Sequence, residues 1–559
     1  MRAGKRGESK LTAKRAYNSR QMLSYSRGPD WPLLDLTIDQ AFLQTVEKFP
    51  ARDALVSIHQ NLRLSFRELD ERVQQLARGL AGLGLRAGER AGIWSANYAE
   101  WIILQLACAR LGAILVNVNP AYRAHELAFV LRRSRMKALF LCEKDARANY
   151  REILEAARSG QSLALEHVIY LHSDSWRAML ARGRDFSAPQ ISPDDIASIQ
   201  YTSGTTGSPK GVLLSHRNIL NNMLLGAQKL KLTEADRICL PVPMYHCFGC
   251  VIGTLAMVTT GCAIIMPAPQ FDPRATVAAV AAEHATIIYG VPAMFIAELE
   301  HPEFANFDLR SLRSGIMAGA PCPIEVMRRV VSEMHCGGIL VAYGQTESSP
   351  IITMSNVDDA LELRVSTVGA AMPATEVKIA SLLTGETLPV GEQGELCTRG
   401  YLVMRGYDDE LEATRAAIDA DGWLHTGDLA VMRPDGYFRI TGRAKDMVIR
   451  GGENIYPREL EEFFYTHPKI VEVQVVGLPH ANLGETICAW IRLKAGQEAT
   501  EDEMRQFCCG KIAHFKVPQY IRFVDSFPMT VTGKVQKFKI REAEIERLGL
   551  GEVSKIETA

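Results

Sequence analysis

Residues 201–211 read Tyr-Thr-Ser-Gly-Thr-Thr-Gly-Ser-Pro-Lys-Gly, which puts three glycines, five Ser/Thr hydroxyls and one lysine into one short segment. Gly204 and Gly207 let the main chain turn tightly and come close to a ligand, so that successive N–H groups can converge on an anion. Thr202, Ser203, Thr205, Thr206 and Ser208 add short hydroxyl donors; Pro209 precedes Lys210, which adds a point charge. This is chemistry suited to polyphosphate. The spacing Gly204-x-x-Gly207-x-x-Lys210 is not that of a Walker loop, in which the lysine follows the second glycine directly. Clusters of Ser, Thr and Gly are commonly solvated linkers. Here the lysine and the apolar flanks, with Val212-Leu213-Leu214 following at once, argue for a binding loop.

Four further motifs carry chemistry. Tyr343-Gly344-Gln345-Thr346-Glu347 follows the apolar run 339–341 and places a ring, a hydroxyl and a carboxylate at a strand end, where open α/β sheets bind ligands. Trp423-Leu424-His425-Thr426-Gly427-Asp428 sets an aspartate after a glycine turn, suited to a grip on ribose hydroxyls; read alone, it is also compatible with an ordinary Asx-turn. Gly442-Arg443-Ala444-Lys445-Asp446, followed by Arg450-Gly451-Gly452-Glu453-Asn454, has too many charges and glycines for a packed element and reads as an interdomain linker. Near the C-terminus, residues 530–537 place Lys534 on a glycine-bearing loop.

The elements that must position these groups alternate. Helical periodicity at 38–49, 65–83, 98–111 and 124–134 is interleaved with strand-like runs at 90–94, 113–118 and 138–142. That rhythm implies a parallel sheet covered by helices on both faces. A less regular, more polar segment spans 145–193, and the βα rhythm then resumes from 196 to about 343. After Gly369, short strands at 377–379, 394–399 and 436–441 between turns suggest a small β-rich subdomain. Beyond Arg443 a compact α+β unit is expected: a hairpin at 447–456, helices at 457–466 and 501–514, and strands at 472–477, 487–493 and 520–524.

At 559 residues the chain exceeds one hydrophobic core, so at least two domains are expected. A formal net charge of -1 gives no electrostatic reason for a nucleic-acid or anionic-membrane partner. The apolar stretches 101–118 and 251–266 are interrupted by polar residues and glycines and read as core, not as membrane spans. The 12 cysteines follow no framework spacing, and Cys247-Phe248-Gly249-Cys250 lacks the second pair a structural zinc needs. Residues 1–20 carry Arg2, Lys5, Arg6, Lys10, Lys14, Arg15 and Arg20 against Glu8 alone. Such a start reads as a basic disordered extension (1–30), with a transit peptide or an upstream mis-start before Met22 as alternatives.

In this order and spacing the five motifs resemble the adenylate-forming (AMP-binding) superfamily of acyl-CoA synthetases, nonribosomal-peptide adenylation domains and luciferases, over about residues 37–548. Met244-Tyr245-His246-Cys247-Phe248-Gly249 and residues 450–457 and 534–539 look most like the medium-chain fatty acyl-CoA ligase branch. The resemblance implies an α/β fold with a large N-terminal domain (31–443) of two α/β/α layered subdomains plus a small β-barrel-like subdomain. A hinge (444–446) and a smaller, mobile α+β C-terminal domain (447–559) would follow. It also implies an ATP-dependent ligase in which a carboxylate attacks the α-phosphorus of ATP, releasing pyrophosphate, and a coenzyme A thiol then displaces AMP from the acyl-adenylate.

In that scheme residues 202–210 wrap the β- and γ-phosphates, and Thr205 and Glu347 hold Mg²⁺. Tyr343 stacks on adenine against Gly319 and Ala320, within the Gly344–Thr346 turn region, and Asp428 takes the ribose hydroxyls with Arg443 assisting. Lys534 reaches the α-phosphate and substrate carboxylate. Lys445 is the hinge about which rotation withdraws Lys534 and presents Arg450, Gly451, Gly452 and Glu453 to the thiol. The acyl chain lies under His246, past Phe248 and Gly319. The implied partners are a medium-chain fatty acid, with a long-chain one as the alternative, ATP and CoA, with homodimer assembly left open. The implied compartment is the cytoplasm, or the mitochondrial matrix if the basic start is a transit peptide. An aryl-CoA ligase, a fatty acyl-AMP ligase serving a carrier protein and an inactive ligand-sensing relative are the competing readings.

Overall fold

The computed structural model describes residues 22–551 apart from 146–147, 161, 188, 203–208, 321, 452, 481 and 531–533. Two large sheets carry the N-terminal part. One has seven strands in the order Gly406–Tyr407, Lys210–Ser215, Ile196–Thr202, Ile114–Asn117, Arg90–Trp94, Ala138–Leu141, His167–Tyr170. The strands from Ile196–Thr202 to His167–Tyr170 pair in parallel. The other has nine strands, and its centre is the parallel run Gly338–Gly344, Ser314–Ala318, Ile287–Gly290, Arg237–Cys239, Ala263–Met266.

Helix positions follow from the apolar periodicity. In Phe66–Gly82 the residues Phe66, Leu69, Val73, Leu76, Ala77 and Leu80 recur at helical spacing and are buried, and a Ser65/Glu68 capping box starts the helix. Ala99–Leu111 is buried on nearly every side, consistent with apolar residues at most of its positions. Its one buried cation is paired: Arg110 donates from Nε to Asp39 at 2.8 Å and from Nη2 to Asp70 at 2.7 Å, tying three helices together. Among the described residues no helix is long and apolar enough to cross a membrane.

The β-rich segment after Gly369 is a five-stranded antiparallel sheet ordered Tyr25–Arg27, Thr375–Ala380, Gln393–Gly400, Leu424–Met432, Phe438–Arg443. The first of these strands corrects one expectation. Residues 25–27 lie in the supposed disordered extension but form a strand paired with Thr375–Ala380, leaving residues 1–21 outside the described part. The supposedly irregular 145–193 segment also contains helix Tyr150–Arg158, strand His167–Tyr170 and helix Asp174–Ala181. Its short, polar-flanked elements weaken the apolar period that would reveal them.

The C-terminal sheet runs Glu453–Ile455, Val448–Arg450, Gly484–Leu493, Ile470–His480, with Tyr520–Phe523 parallel to Gly484–Leu493. It has a core of its own: Val448, Leu460, Phe464, Val475, Ile487 and Ile521 belong to one buried cluster whose members all lie past position 447. The helix expected to reach 514 ends at Cys508, where the backbone of Cys509 turns extended.

Candidate active site

The phosphate-type loop closes a hairpin. Strands Ile196–Thr202 and Lys210–Ser215 pair antiparallel, with Thr202 opposite Lys210, so both ends of the loop are pinned by the ladder. Ser203, Gly204, Thr205, Thr206, Gly207 and Ser208 lie outside the described residues. Pro209 is partly buried at the loop exit. Strand Gly406–Tyr407 adds to the same edge, with Tyr407 opposite Val212. This lays the Tyr407 ring under the Lys210 ammonium, 5.0 Å from Nζ to the ring centroid. The Tyr407 hydroxyl donates to Glu347 Oε1 at 2.9 Å. Burial and that carboxylate together hold the phenol well above its ordinary pKa, so it stays a donor.

Tyr343 and Gly344 end the strand Gly338–Gly344. A Cβ at Gly344 would stand 1.8 Å from the Pro350 carbonyl oxygen, so only glycine fits where the chain doubles back into the Thr346–Ser348 turn. The Tyr343 hydroxyl donates to Asp428 Oδ2 at 2.8 Å, and Arg443 Nε donates to Asp428 Oδ1 at 2.9 Å. The second contact follows from register, because Asp428 and Arg443 face each other across paired strands. Burial, and then the aspartate, push the Tyr343 phenol well above its usual range.

His246 lies just before a wide-turned helical segment, Phe248–Gly253. Its Nδ1 accepts from the Phe248 N–H at 3.1 Å, which puts the ring proton on Nε2. Burial first, and the Lys534 charge second, push the imidazole down to about 3. A Cβ at Gly249 would stand 2.3 Å from the Pro243 carbonyl oxygen, so glycine is needed for this segment to pack. Phe248 stacks on Tyr289 with centroids 5.8 Å apart.

Lys534 reaches this group from the C-terminal unit. Its Cε is 3.8 Å from where a Cβ would stand at Gly319, which has φ +84°. The Lys534 N–H donates to Thr530 Oγ1 at 3.0 Å and Thr530 N–H to the Lys534 carbonyl at 2.7 Å, a turn that closes the loop at its base. The ammonium forms no ion pair among the described residues. Burial, and also the Arg443 charge, lower its pKa. A cation without an ion-pair partner among the described residues, under the influence of the Arg443 charge, fits an anionic phosphate ligand.

The structure therefore brings together Lys210, Gly319, Tyr343, Thr346, Glu347, Asp428, Arg443, His246, Phe248 and Lys534, with Ala320 next to Gly319. Lys445, Arg450, Gly451 and Glu453 are placed otherwise. Lys445 sits in the short helical turn Ala444–Asp446. Arg450 donates to the Phe515 carbonyl at 2.6 Å, and Gly451 N–H to the Leu483 carbonyl at 2.8 Å, so both serve the C-terminal unit's own packing. Glu453 is exposed, and Gly452 lies outside the described residues. Cys247 and Cys250 are buried free thiols. Sequence reasoning missed Tyr407, whose only local signal is the pair Gly406-Tyr407 ahead of Asp408. It also missed the Arg90–Asp408 pair, bidentate at 2.7 and 2.8 Å, which anchors the same edge.

An aspartate held by a tyrosine and an arginine, the Lys210 hairpin and a lysine brought from the C-terminal unit are the polar groups gathered here. Comparison with known proteins gives the family. Residues 42–408 match the family model described as AMP-binding enzyme, and residues 459–534 match that of the AMP-binding enzyme C-terminal domain. The chain belongs to the AMP-binding enzyme family and is a ligase of its adenylate-forming acyl-CoA synthetase group. It is 46% identical to YngI of Bacillus subtilis (strain 168), over 93% of this chain and 99% of that protein. It is 42% identical to the mitochondrial medium-chain acyl-CoA ligase ACSF2 of Rattus norvegicus, over 97% of this chain and 95% of that protein. Among solved structures, the anthranilate CoA ligase AuaEII in complex with anthranoyl-AMP superposes with a TM-score of 0.84 at 27% identity, covering 92% of this chain and 98% of that one. The Mycobacterium tuberculosis fatty acyl CoA synthetase does so with a TM-score of 0.72 at 28% identity, covering 91% and 99%.

Proposed function

We propose that this enzyme joins medium-chain fatty acids to coenzyme A through an acyl-adenylate. The observation that carries the reading is the approach of Lys534 to Gly319 and His246, alongside the Asp428–Tyr343–Arg443 set. In the first half-reaction the fatty carboxylate, already ionised at neutral pH, attacks the α-phosphorus and pyrophosphate leaves. Lys534 meets the negative charge that gathers on the attacking and α-phosphate oxygens. Lys210 and the 203–208 loop hold the departing pyrophosphate, and Asp428 fixes the ribose. Glu347, positioned by Tyr407, offers a carboxylate that would hold Mg²⁺ with Thr205, which lies outside the described residues; the ion would neutralise phosphate charge. His246, half-buried and neutral at physiological pH, forms a wall of the acyl site with the buried Phe248 and does not act there as an acid.

For the second half-reaction, the unit beyond 446 turns about Lys445, withdraws Lys534 and presents the Arg450–Glu453 side to the thiol of CoA. The medium-chain preference is supported by the relatives named medium-chain acyl-CoA ligase, which are 41–43% identical. The reading places the enzyme in the cytoplasm, with the mitochondrial matrix as the alternative. It is tested by measuring CoA thioester and AMP with straight-chain acids from acetate to palmitate and with benzoate. A maximum at medium length is expected. Activity confined to benzoate identifies an aryl-CoA ligase, adenylate without thioester identifies a carrier-dependent ligase, and either result overturns the proposal.

A further inference from the structure

The five-stranded sheet holds a second cluster of reactive side chains that the ligase reaction does not use. Glu395 and Cys397 sit two residues apart on strand Gln393–Gly400, on either side of a register shift against strand Leu424–Met432, and His425 of that strand lies directly opposite Cys397. One ligand atom from each of the three lies within 4.8 Å of the others. Cys397 Sγ is 3.5 Å from His425 Nδ1, and the same nitrogen is 2.8 Å from Glu395 Oε2. A tetrahedral zinc with bonds of about 2.3 Å to sulfur and about 2.0 Å to nitrogen or oxygen sets sulfur and nitrogen about 3.5 Å apart, and nitrogen and oxygen about 3.3 Å apart. One edge is already at that length, and the other needs the Glu395–His425 hydrogen bond to open by roughly half an ångström.

The outer partners are also in place. The second Glu395 oxygen accepts the Gly427 N–H at 2.8 Å, which leaves Oε2 directed at the cluster. His425 Nε2 faces Asp419 Oδ2 at 3.6 Å, the carboxylate–histidine arrangement that orients metal-binding imidazoles. Cys397 is fully buried against Ala380 and Trp423, while the His425 side chain is 31% exposed, so the site has an apolar floor and an open mouth. A Glu–His pair alone would only brace the Gly427 turn; a thiol within hydrogen-bonding distance of the same ring nitrogen adds the third, soft ligand.

We propose that Glu395, Cys397 and His425 bind a borderline divalent cation of the Zn²⁺ type, with Asp419 orienting the imidazole and water in the fourth position. On binding, the thiol releases one proton to solvent, and the imidazole keeps its proton, now on Nε2 toward Asp419. The ion would then brace the segment that ends in Asp428, three residues beyond His425.

The experiment uses the full-length enzyme, stripped of metal and titrated with Co²⁺. One equivalent is expected to bind with thiolate-to-cobalt charge-transfer absorption and tetrahedral-intensity ligand-field bands, both bleached by Zn²⁺. Cys397→Ser should abolish the charge-transfer band. Asp419→Asn should weaken binding by about 10–100-fold. Cys509→Ser, which removes the exposed thiol, should change neither. X-ray absorption of the zinc-loaded wild type, which needs no variant, should show one sulfur and otherwise nitrogen or oxygen neighbours. A wild-type spectrum without charge transfer, its persistence in Cys397→Ser, its loss in Cys509→Ser, or a zinc shell lacking sulfur would each overturn the site.

Discussion

Asp428 is held by protein groups on both carboxylate oxygens, Tyr343 on one and Arg443 on the other, and its place is set by strand register. Lys534 has none of this support. Its hydrogen bonds are main-chain contacts with Thr530, and its ammonium forms no ion pair among the described residues. The difference separates two tasks. A group that must recognise ribose in every state benefits from preorganisation, because no reorganisation is needed when the ligand binds. A group needed in one half-reaction and obstructive in the other must be free to leave, and tight partners would oppose its withdrawal.

Removing the delivered group should have the largest effect. Lys534→Ala is expected to lower carboxylate-dependent ATP–pyrophosphate exchange by on the order of 10²–10³-fold, the range found when one donor to a developing anion is deleted. Thioester formation from supplied acyl-adenylate should be largely kept. Equal loss of both half-reactions would erase the distinction between the fixed and the delivered side.

A smaller effect tests whether the fixed side extends to Glu347. Tyr407→Phe removes the 2.9 Å hydrogen bond to that carboxylate while keeping the ring under Lys210. A hydrogen bond to a charged group is worth about 1.5–3 kcal/mol, so the KM for ATP in the exchange reaction should rise about tenfold or more. An unchanged KM would show that Tyr407 only fills space.

How far the sequence revealed this site follows the same division between local and distant contacts. Tyr343, Asp428 and Arg443 were legible because each stands in a short motif whose backbone turn is encoded beside it. Tyr407 was not, because its role depends on Gly406–Tyr407 joining the edge of Lys210–Ser215, a pairing with no local signal. The strand Tyr25–Arg27 escaped for the same reason: three residues have no period to read, and only Thr375–Ala380 makes them a strand. The cluster of Glu395, Cys397 and His425 was likewise invisible, since its residues meet only through the register of two strands. The parallel sheets were legible, since buried strands and amphipathic helices alternate plainly in 65–142.

The smallest perturbation, a change of pH, separates the two sides without a mutation. His246, pushed down to about 3, stays neutral across the neutral range, so it gives adenylation no limb near pH 6.5. Lys534 is different. Burial and the Arg443 charge lower its pKa from the ordinary lysine value of 10.5. The protonated form is the one that stabilises the transition state. Adenylation should therefore be full below the lowered pKa and fall as pH rises through it, at a pH where an exposed lysine would still be charged. Lys534→Arg should remove that basic limb, because a guanidinium does not titrate in this range, even if the plateau rate drops. A basic limb that survives in Lys534→Arg would assign the titration to another group, and the delivered lysine would lose its claim to the charge.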